Sequence, residues 1–165
     1  MRVGVLTISD RASSGGYEDQ SGPLITTIIS QRTSWQVAEQ AVVPDEIDHI
    51  AGMLVKWSGD DIDLILTSGG TGFAPRDVTP EATLKVIDRE APGIAEAIRL
   101  ESLKITQHAM LSRARAGIRG KTLIINLPGS PKAVKESLDI LLPVLPHALS
   151  LLAGSSGSEK EHRAI

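Results

Sequence analysis

A chain of 165 residues fits one domain and can bury about 70% of the surface its unfolded form exposes. A net charge of −3 and an aromatic content of 2% argue against non-specific binding to nucleic acid or anionic membrane, and leave a single-strand binder without stacking platforms. Cysteine is absent, and with it disulfides, thiolate nucleophiles and cysteine zinc sites.

The chain enters an apolar segment directly after Met1-Arg2, and residues 3–9 (VGVLTIS) read as a buried strand. No signal-peptide pattern and no apolar run near 18 residues is present, so a cytoplasmic protein with no membrane or nucleic-acid partner is expected. Residues 10–22 are polar and rich in Gly and Ser, which predicts a loop of weak local order. A helix follows from Pro23 to Gln31, with Leu24, Ile25, Ile28 and Ile29 on one side. Residues 35–43 read as a second strand. Pro44-Asp45-Glu46 opens a helix to about Trp57, with Ile47, Ile50, Met53 and Leu54 at three- and four-residue spacing.

The third strand, 62–67, runs into the most informative segment of the chain, TSGGTGFAPRDVTPEAT at 67–83. Thr67 and Ser68 lead into Gly69, Gly70, Thr71 and Gly72, and Arg76 stands next to Asp77. Glycines let a backbone approach a ligand and offer it N–H groups. The helix start at Thr79-Pro80-Glu81 favours anions. The segment is suited to gripping a phosphorylated ligand. It is not a Walker A loop, because no GK[ST] follows at the required spacing. Gly120-Lys121-Thr122 has the residues but is preceded by Arg115 where a glycine is needed.

Two more helices are expected at 80–88 and 92–105, split by Ala91-Pro92-Gly93. Strands at 114–118 and 122–127 flank a tight turn at Arg119-Gly120-Lys121. Pro128-Gly129-Ser130-Pro131 opens a helix to about Leu142, residues 145–152 form a last helix, and 154–165 are expected to be a disordered tail behind a domain of residues 1–153. Alternating strands and helices predict a three-layer α/β/α fold on a mostly parallel sheet, with ligands at the carboxyl ends of strands.

Several of these residues also have plainer readings. Asp77 and Thr79 compete for the cap of the following helix, Asp45 stands at an N-cap position, and Ser130 caps the helix behind it. Arg113, Arg115, Arg119 and Lys121 form either a solvated basic edge or a field that steers phosphates. The four histidines show no ligand spacing, and no GxSxG elbow supports a serine nucleophile.

The segments VGVLTISD (3–10), VVPDEI (42–47), LILTSGGTGFAPRDVTPEAT (64–83), REAPGIAEAIR (89–99), MLSRARAGIRGKTLIINLPGSPKAV (110–134) and LLPVLPHAL (141–149) resemble the molybdopterin adenylyltransferases, both the bacterial MogA type and the G domains of gephyrin and its plant counterpart. The resemblance implies transfer of AMP from Mg-ATP to the terminal phosphate of molybdopterin, with release of pyrophosphate. It implies Asp45 and Asp77 as the functional carboxylates and Mg²⁺ ligands, and Ser112 as a pterin contact. Residues 67–72, Arg76 and the turn at Pro128, Gly129 and Ser130 would line the pocket. A homotrimer and a separate molybdenum-insertion protein as partner are also implied. Two alternatives share the motifs: a MoaB-type pterin-binding paralogue with little or no transferase activity, and a scaffold.

Overall fold

The computed structural model describes residues 1–154. Residues 155–165 and the tail expected there lie outside the described residues. Six strands form one sheet in the order β2-β1-β3-β6-β5-β4. β1 (Arg2–Ile8), β2 (Gln36–Val43), β3 (Leu64–Ser68) and β6 (Thr122–Leu127) are parallel. β5 (Ala116–Arg119) and β4 (Arg89–Glu90) extend the edge in antiparallel fashion. The mostly parallel three-layer expectation is met.

β-branched and aliphatic runs make β1, β3 and β6 buried on both faces, as a covered parallel sheet requires. Val3, Val5, Leu64, Leu66, Leu123 and Ile125 face one layer. It is built by α2 (Ser21–Arg32), α5 (Pro92–Leu103), α6 (Pro131–Leu141) and α7 (Leu145–Leu152). Leu6, Ile8, Ile65 and Ile124 face α3 (Ile47–Gly59) and α4 (Thr79–Val86) on the other side. Gly4 lets the buried Trp57 lie against β1: a Cβ there would sit 2.7 Å from the indole ring.

Three elements differ from the sequence reading. The expected loop after β1 contains a one-turn helix, α1 (Asp10–Ser13), capped by Ser9, whose Oγ accepts from the Ala12 N–H at 3.2 Å. Helix α4 stops at Val86 because Ile87 is extended and the next residues pair with β5, the Asp88 N–H donating to the Ile118 carbonyl at 2.8 Å. A 3-10 helix, Gln107–Leu111, follows α5. The turn between β5 and β6 is tight as expected, with Gly120 at φ +57°.

The sheet carries one buried polar network. The Asn126 amide donates to Thr67 Oγ1 at 3.0 Å and Thr83 Oγ1 at 2.9 Å, and its Oδ1 accepts from the Arg115 N–H at 3.1 Å. All three side chains, Asn126, Thr67 and Thr83, are fully buried. The network ties β6 to β3 and to α4, the elements on either side of the glycine loop. Asn126→Ala is expected to cost about 2–4 kcal/mol of folding stability, because it leaves two buried threonine hydroxyls and the Arg115 N–H without their partner at once. Chemical denaturation of the variant checks it.

Candidate active site

The chain runs from β1 out to β2 at one side, then crosses back to place β3 on the other side of β1. That reversal opens a crevice at the carboxyl ends of β1 and β3, where open α/β sheets bind ligands. Thr7 lies beside Ser68, and Ser68 beside Leu127. The segments that follow β1, β3 and β6 therefore leave the sheet side by side. They enclose a cavity of about 620 Å³, whose lining includes Asp10, Asp45, Asp77, Gly69, Gly70 and Ser130.

Two glycines make this packing feasible. Gly69 has φ +101°, and a Cβ there would lie 2.2 Å from the Ile8 carbonyl oxygen. Gly70 has φ +62°, and a Cβ there would lie 2.3 Å from Thr79 Oγ1 and 3.0 Å from Asp45 Oδ1. Both positions combine a left-handed backbone with contact that no side chain tolerates. Thr79 locks the loop: its hydroxyl donates to the Gly69 carbonyl at 2.9 Å and its N–H to the Gly70 carbonyl at 3.1 Å. Both carbonyl dipoles are thereby taken up by the start of α4. From the far side Arg113 braces the same loop. Its Nε donates to the Gly72 carbonyl at 2.7 Å and its N–H to the Thr71 carbonyl at 2.9 Å, and its guanidinium also reaches the Asp77 carbonyl and the Glu81 carboxylate.

The capping readings of the two acids are corrected here. Asp77 caps no helix. Its Oδ2 accepts from the Ala74 N–H at 2.9 Å while its own N–H donates to the Ala74 carbonyl at 2.8 Å, closing the 74–77 turn. Val78 occupies the N-cap position of α4 and contributes no side-chain bond, so Thr79 does not cap it either. Asp45 caps no helix either, since Glu46 holds that position in α3. It pairs with Asp10: Asp45 Oδ2 accepts from the Asp10 N–H at 2.8 Å, and Asp10 Oδ1 accepts from the Asp45 N–H at 3.0 Å. Ser130 does cap α6, its Oγ accepting from the Ala133 N–H at 3.2 Å.

Asp10 was not among the sequence-derived site residues, although Ser9-Asp10 ends a strand that points at the crevice. It takes both arms of Arg76, with Nε to Oδ2 at 2.9 Å and Nη2 to Oδ1 at 2.8 Å. This fork holds the Asp10 carboxyl below the usual carboxylate range. Asp45 moves the other way. Burial pushes it up, and the neighbouring Asp10 and Asp77 charges add to that rise against the opposing Asp10 N–H and Arg76.

The remaining sequence-derived residues divide. Ser68 lines the cavity and donates to the Pro128 carbonyl at 2.9 Å. Gly129 packs on Gly69, a Cβ there lying 3.3 Å from the Gly69 Cα. Thr67 is in the core network, and Thr71 is buried beside the loop. Ser112 stands elsewhere, in a separate cavity of about 220 Å³ with Pro80, Glu81, Arg99, Arg113 and Arg115. The basic edge is not free to steer phosphates as one field: Arg113 braces the loop, Arg119 donates to the Val86 carbonyl at 2.7 Å, and Arg115 pairs with Glu90 at 3.5 Å.

A family model described as "Probable molybdopterin binding domain" matches residues 4–147. The chain belongs to that molybdopterin-binding family. It is 49% identical to gephyrin of Dictyostelium discoideum over 98% of this chain, but spans about a quarter of that protein, 24%. It is 45% identical to the molybdopterin adenylyltransferase of Helicobacter pylori J99, over 94% of this chain and 89% of the relative. The solved structure of the molybdopterin biosynthesis enzyme MoaB from Thermus thermophilus is 52% identical, with a TM-score of 0.88 over 93% of this chain and 97% of that one. The tungsten cofactor synthesizing protein MoaB from Pyrococcus furiosus matches at 33% identity and a TM-score of 0.82, over 92% and 96%.

The raised Asp45 carboxyl has a consequence for folding. A carboxyl whose folded value lies above its unfolded 3.8 favours the folded state most in acid. That contribution is lost as pH rises from the unfolded value through the raised one. Asp45→Asn keeps an oxygen for the Asp10 N–H and removes the charge. The variant is expected to melt at or above the wild-type temperature at pH 7, with the gain shrinking as pH falls toward 4. Thermal melts across that range check it.

Proposed function

We propose that the protein is a molybdopterin adenylyltransferase of molybdenum cofactor biosynthesis. The observation that carries this reading is the meeting of Asp45, Asp77 and the Gly69-Gly70 loop at the strand-switch crevice of a fold whose 45% identical relatives bear that activity in their names. The terminal phosphate oxygen of molybdopterin attacks the α-phosphorus of ATP. The bond to the β-phosphate oxygen breaks, and pyrophosphate leaves. The protein contributes position and charge stabilisation, with no covalent intermediate.

Asp45 and Asp77 would hold Mg²⁺. Both are hard oxygen donors against one glycine loop: Asp77 Oδ2 is 2.8 Å from where a Gly72 Cβ would be, and Asp45 Oδ1 is 3.0 Å from that of Gly70. Among the described residues no group of three or more His, Cys, Asp or Glu forms a metal cage. One or two carboxylates, with waters and substrate phosphates completing the shell, is the donor set magnesium takes in phosphoryl chemistry. When bound, the ion neutralises charge that develops on the phosphates. Gly70 to Gly72, and Gly129 and Ser130 in the turn after Pro128, would present backbone N–H groups to those phosphates, with Thr67, Ser68 and Gly69, whose N–H donates to the Leu127 carbonyl at 3.4 Å, setting the loop's base. Arg76, on the rim, can exchange its Asp10 partner for a phosphate. Ser112 would contact the pterin from the smaller cavity, close to Arg99 and Arg115.

The same proposal includes a domain over residues 1–153, a cytoplasmic location, and a separate molybdenum-insertion protein that receives the product. It also includes a homotrimer. Exposed Leu100, Ile105 and Met110, at 64%, 55% and 61%, support an apolar contact over α5, the 3-10 helix and the turn between them. Sedimentation at micromolar concentration should give three times 17.5 kDa, and a monomer would remove the trimer from the proposal.

A second reading, a MoaB-type pterin binder with little or no transferase activity, is favoured by the 52% identity to the Thermus MoaB structure. An adenylylation assay with molybdopterin, Mg²⁺ and ATP separates the two. In that assay Asp77→Asn keeps an acceptor for the Ala74 N–H, so its melting should barely change. Its turnover should fall at least about 100-fold. Ser112→Ala should instead weaken pterin binding roughly 10- to 150-fold and leave folding intact. Wild-type turnover in Asp77→Asn would remove the catalytic role, and unchanged pterin affinity in Ser112→Ala would remove the pterin contact.

A further inference from the structure

The larger cavity has one aromatic side chain in its lining, Tyr17, and it is the only tyrosine of the chain. The segment that carries it is fixed at both ends. Ser9 caps α1, and the helix closes on Gly15 at φ +76°. There the Gly16 N–H donates to the Arg11 carbonyl at 2.8 Å and the Gly15 N–H to the Ala12 carbonyl at 3.1 Å. This paired closure is a Schellman motif, and it folds the chain back over the helix it ends. Beyond Tyr17, Asp19 anchors the return. Its carboxylate accepts from the Thr7 hydroxyl at 2.6 Å and from the Ser21 and Gly22 N–H groups at 3.0 and 3.1 Å.

The reversal sets the Tyr17 ring against Arg11, whose guanidinium carbon lies 5.4 Å from the ring centroid. The ring is nevertheless 50% exposed. With the cation on one side and the residue half exposed, ring surface remains open in a side chain that lines the cavity. Around it the lining is acidic and polar, with Asp10, Asp19, Asp45, Gln20 and Ser21. The other apolar side chains in that lining, Ile8, Ala12 and Pro131, are aliphatic and lack a π face.

We propose that Tyr17 is the stacking platform for the base of the nucleotide, the adenine of ATP lying on the ring face opposite Arg11. The inference rests on the adenylyltransferase reading and goes beyond it by naming the residue that reads the base. Adenine is the heterocycle meant, because Ser112, the proposed pterin contact, lines the other cavity. Tyr17 shares its cavity with the carboxylates proposed to manage the phosphates. A base on an aromatic face gains affinity without hydrogen bonds to the ring edge. A platform held at both ends loses little freedom when the base arrives.

The test uses the full chain with ring-labelled tyrosine, which gives one set of ring signals because there is one tyrosine. Titration with AMP should shift those signals upfield along the binding isotherm, and molybdopterin alone should leave them in place. In the transferase assay Tyr17→Leu should raise the KM for ATP about tenfold with kcat little changed. It should also narrow the preference for ATP over CTP. Tyr17→Phe should stay within about twofold of wild type. AMP binding with unmoved Tyr17 signals, or movement caused by molybdopterin instead, overturns the proposal and leaves the transferase reading standing. If AMP does not bind, the titration is repeated with Mg-ATP and read in the same way, and failure of the wild-type chain to bind Mg-ATP overturns both. The titration needs no variant, so a Tyr17→Leu chain that did not fold would leave the test intact.

Discussion

Three parallel strands that end level with one another hold the site together. Thr7, Ser68 and Leu127 are neighbours across β1, β3 and β6, and each strand is followed at once by a segment with chemistry in it. The contact that this arrangement imposes is severe. Gly69 sits where any side chain would strike the Ile8 carbonyl, and Gly129 packs directly on Gly69. The three segments can converge on one crevice only because backbone meets backbone there. Shifting any one strand by a residue would exchange the side chains that pack into the two helical layers, so the hydrophobic register that folds the protein also aligns the site.

Around that convergence the loops are held by reciprocal bonds. Asp10 and Asp45 each accept from the other's backbone N–H, and Asp77 closes its own turn from both directions. Thr79 and Arg113 grip the glycine loop from opposite sides. Asp45 and Asp77 each accept these bonds on Oδ2 and keep a second oxygen, whereas both oxygens of Asp10 also take Arg76. This is how carboxylates are kept in place near one another despite like-charge repulsion, which adds to the upward push that burial exerts on Asp45. Arg76 offsets part of that repulsion through Asp10. A site that concentrates negative charge in this way gains from a cation, and the stability given up without one is the ordinary cost of a functional cluster.

The two cavities divide the chemistry. The larger gathers the carboxylates, the glycine loop and the Ser130 turn. The smaller lies behind the loop, with Ser112 and three arginines. Arg113 belongs to the wall between them, bonding to the Thr71, Gly72 and Asp77 carbonyls. Arg113 thus joins the cavity that holds Ser112 to the loop and turn that carry Asp77.

The strands, the long helices and the glycine loop were legible in the sequence, because apolar periodicity and glycine spacing are local signals. The clustering of Gly69, Gly70 and Gly72 before a proline-led helix start marked the tight loop that the structure places at the crevice. Short elements fixed by partners were not legible. β4 exists because Arg89 and Glu90 lie against Ile118 and Gly117, and α1 forms only where Ser9 and the Gly15-Gly16 closure bracket it. The roles of the acids also escaped local reading. Asp45 and Thr79 stand at positions that cap helices in isolation, yet their bonds go to Asp10 and Gly69, 35 and 10 residues away. Asp10 and Tyr17 carried no spacing signal at all. The sequence by itself determined the longer strands and helices and the glycine loop, since those follow from side-chain pattern. Which side chains meet was decided by the crossing of β2 to β3 over β1, because only that long-range packing brings distant segments within bonding distance.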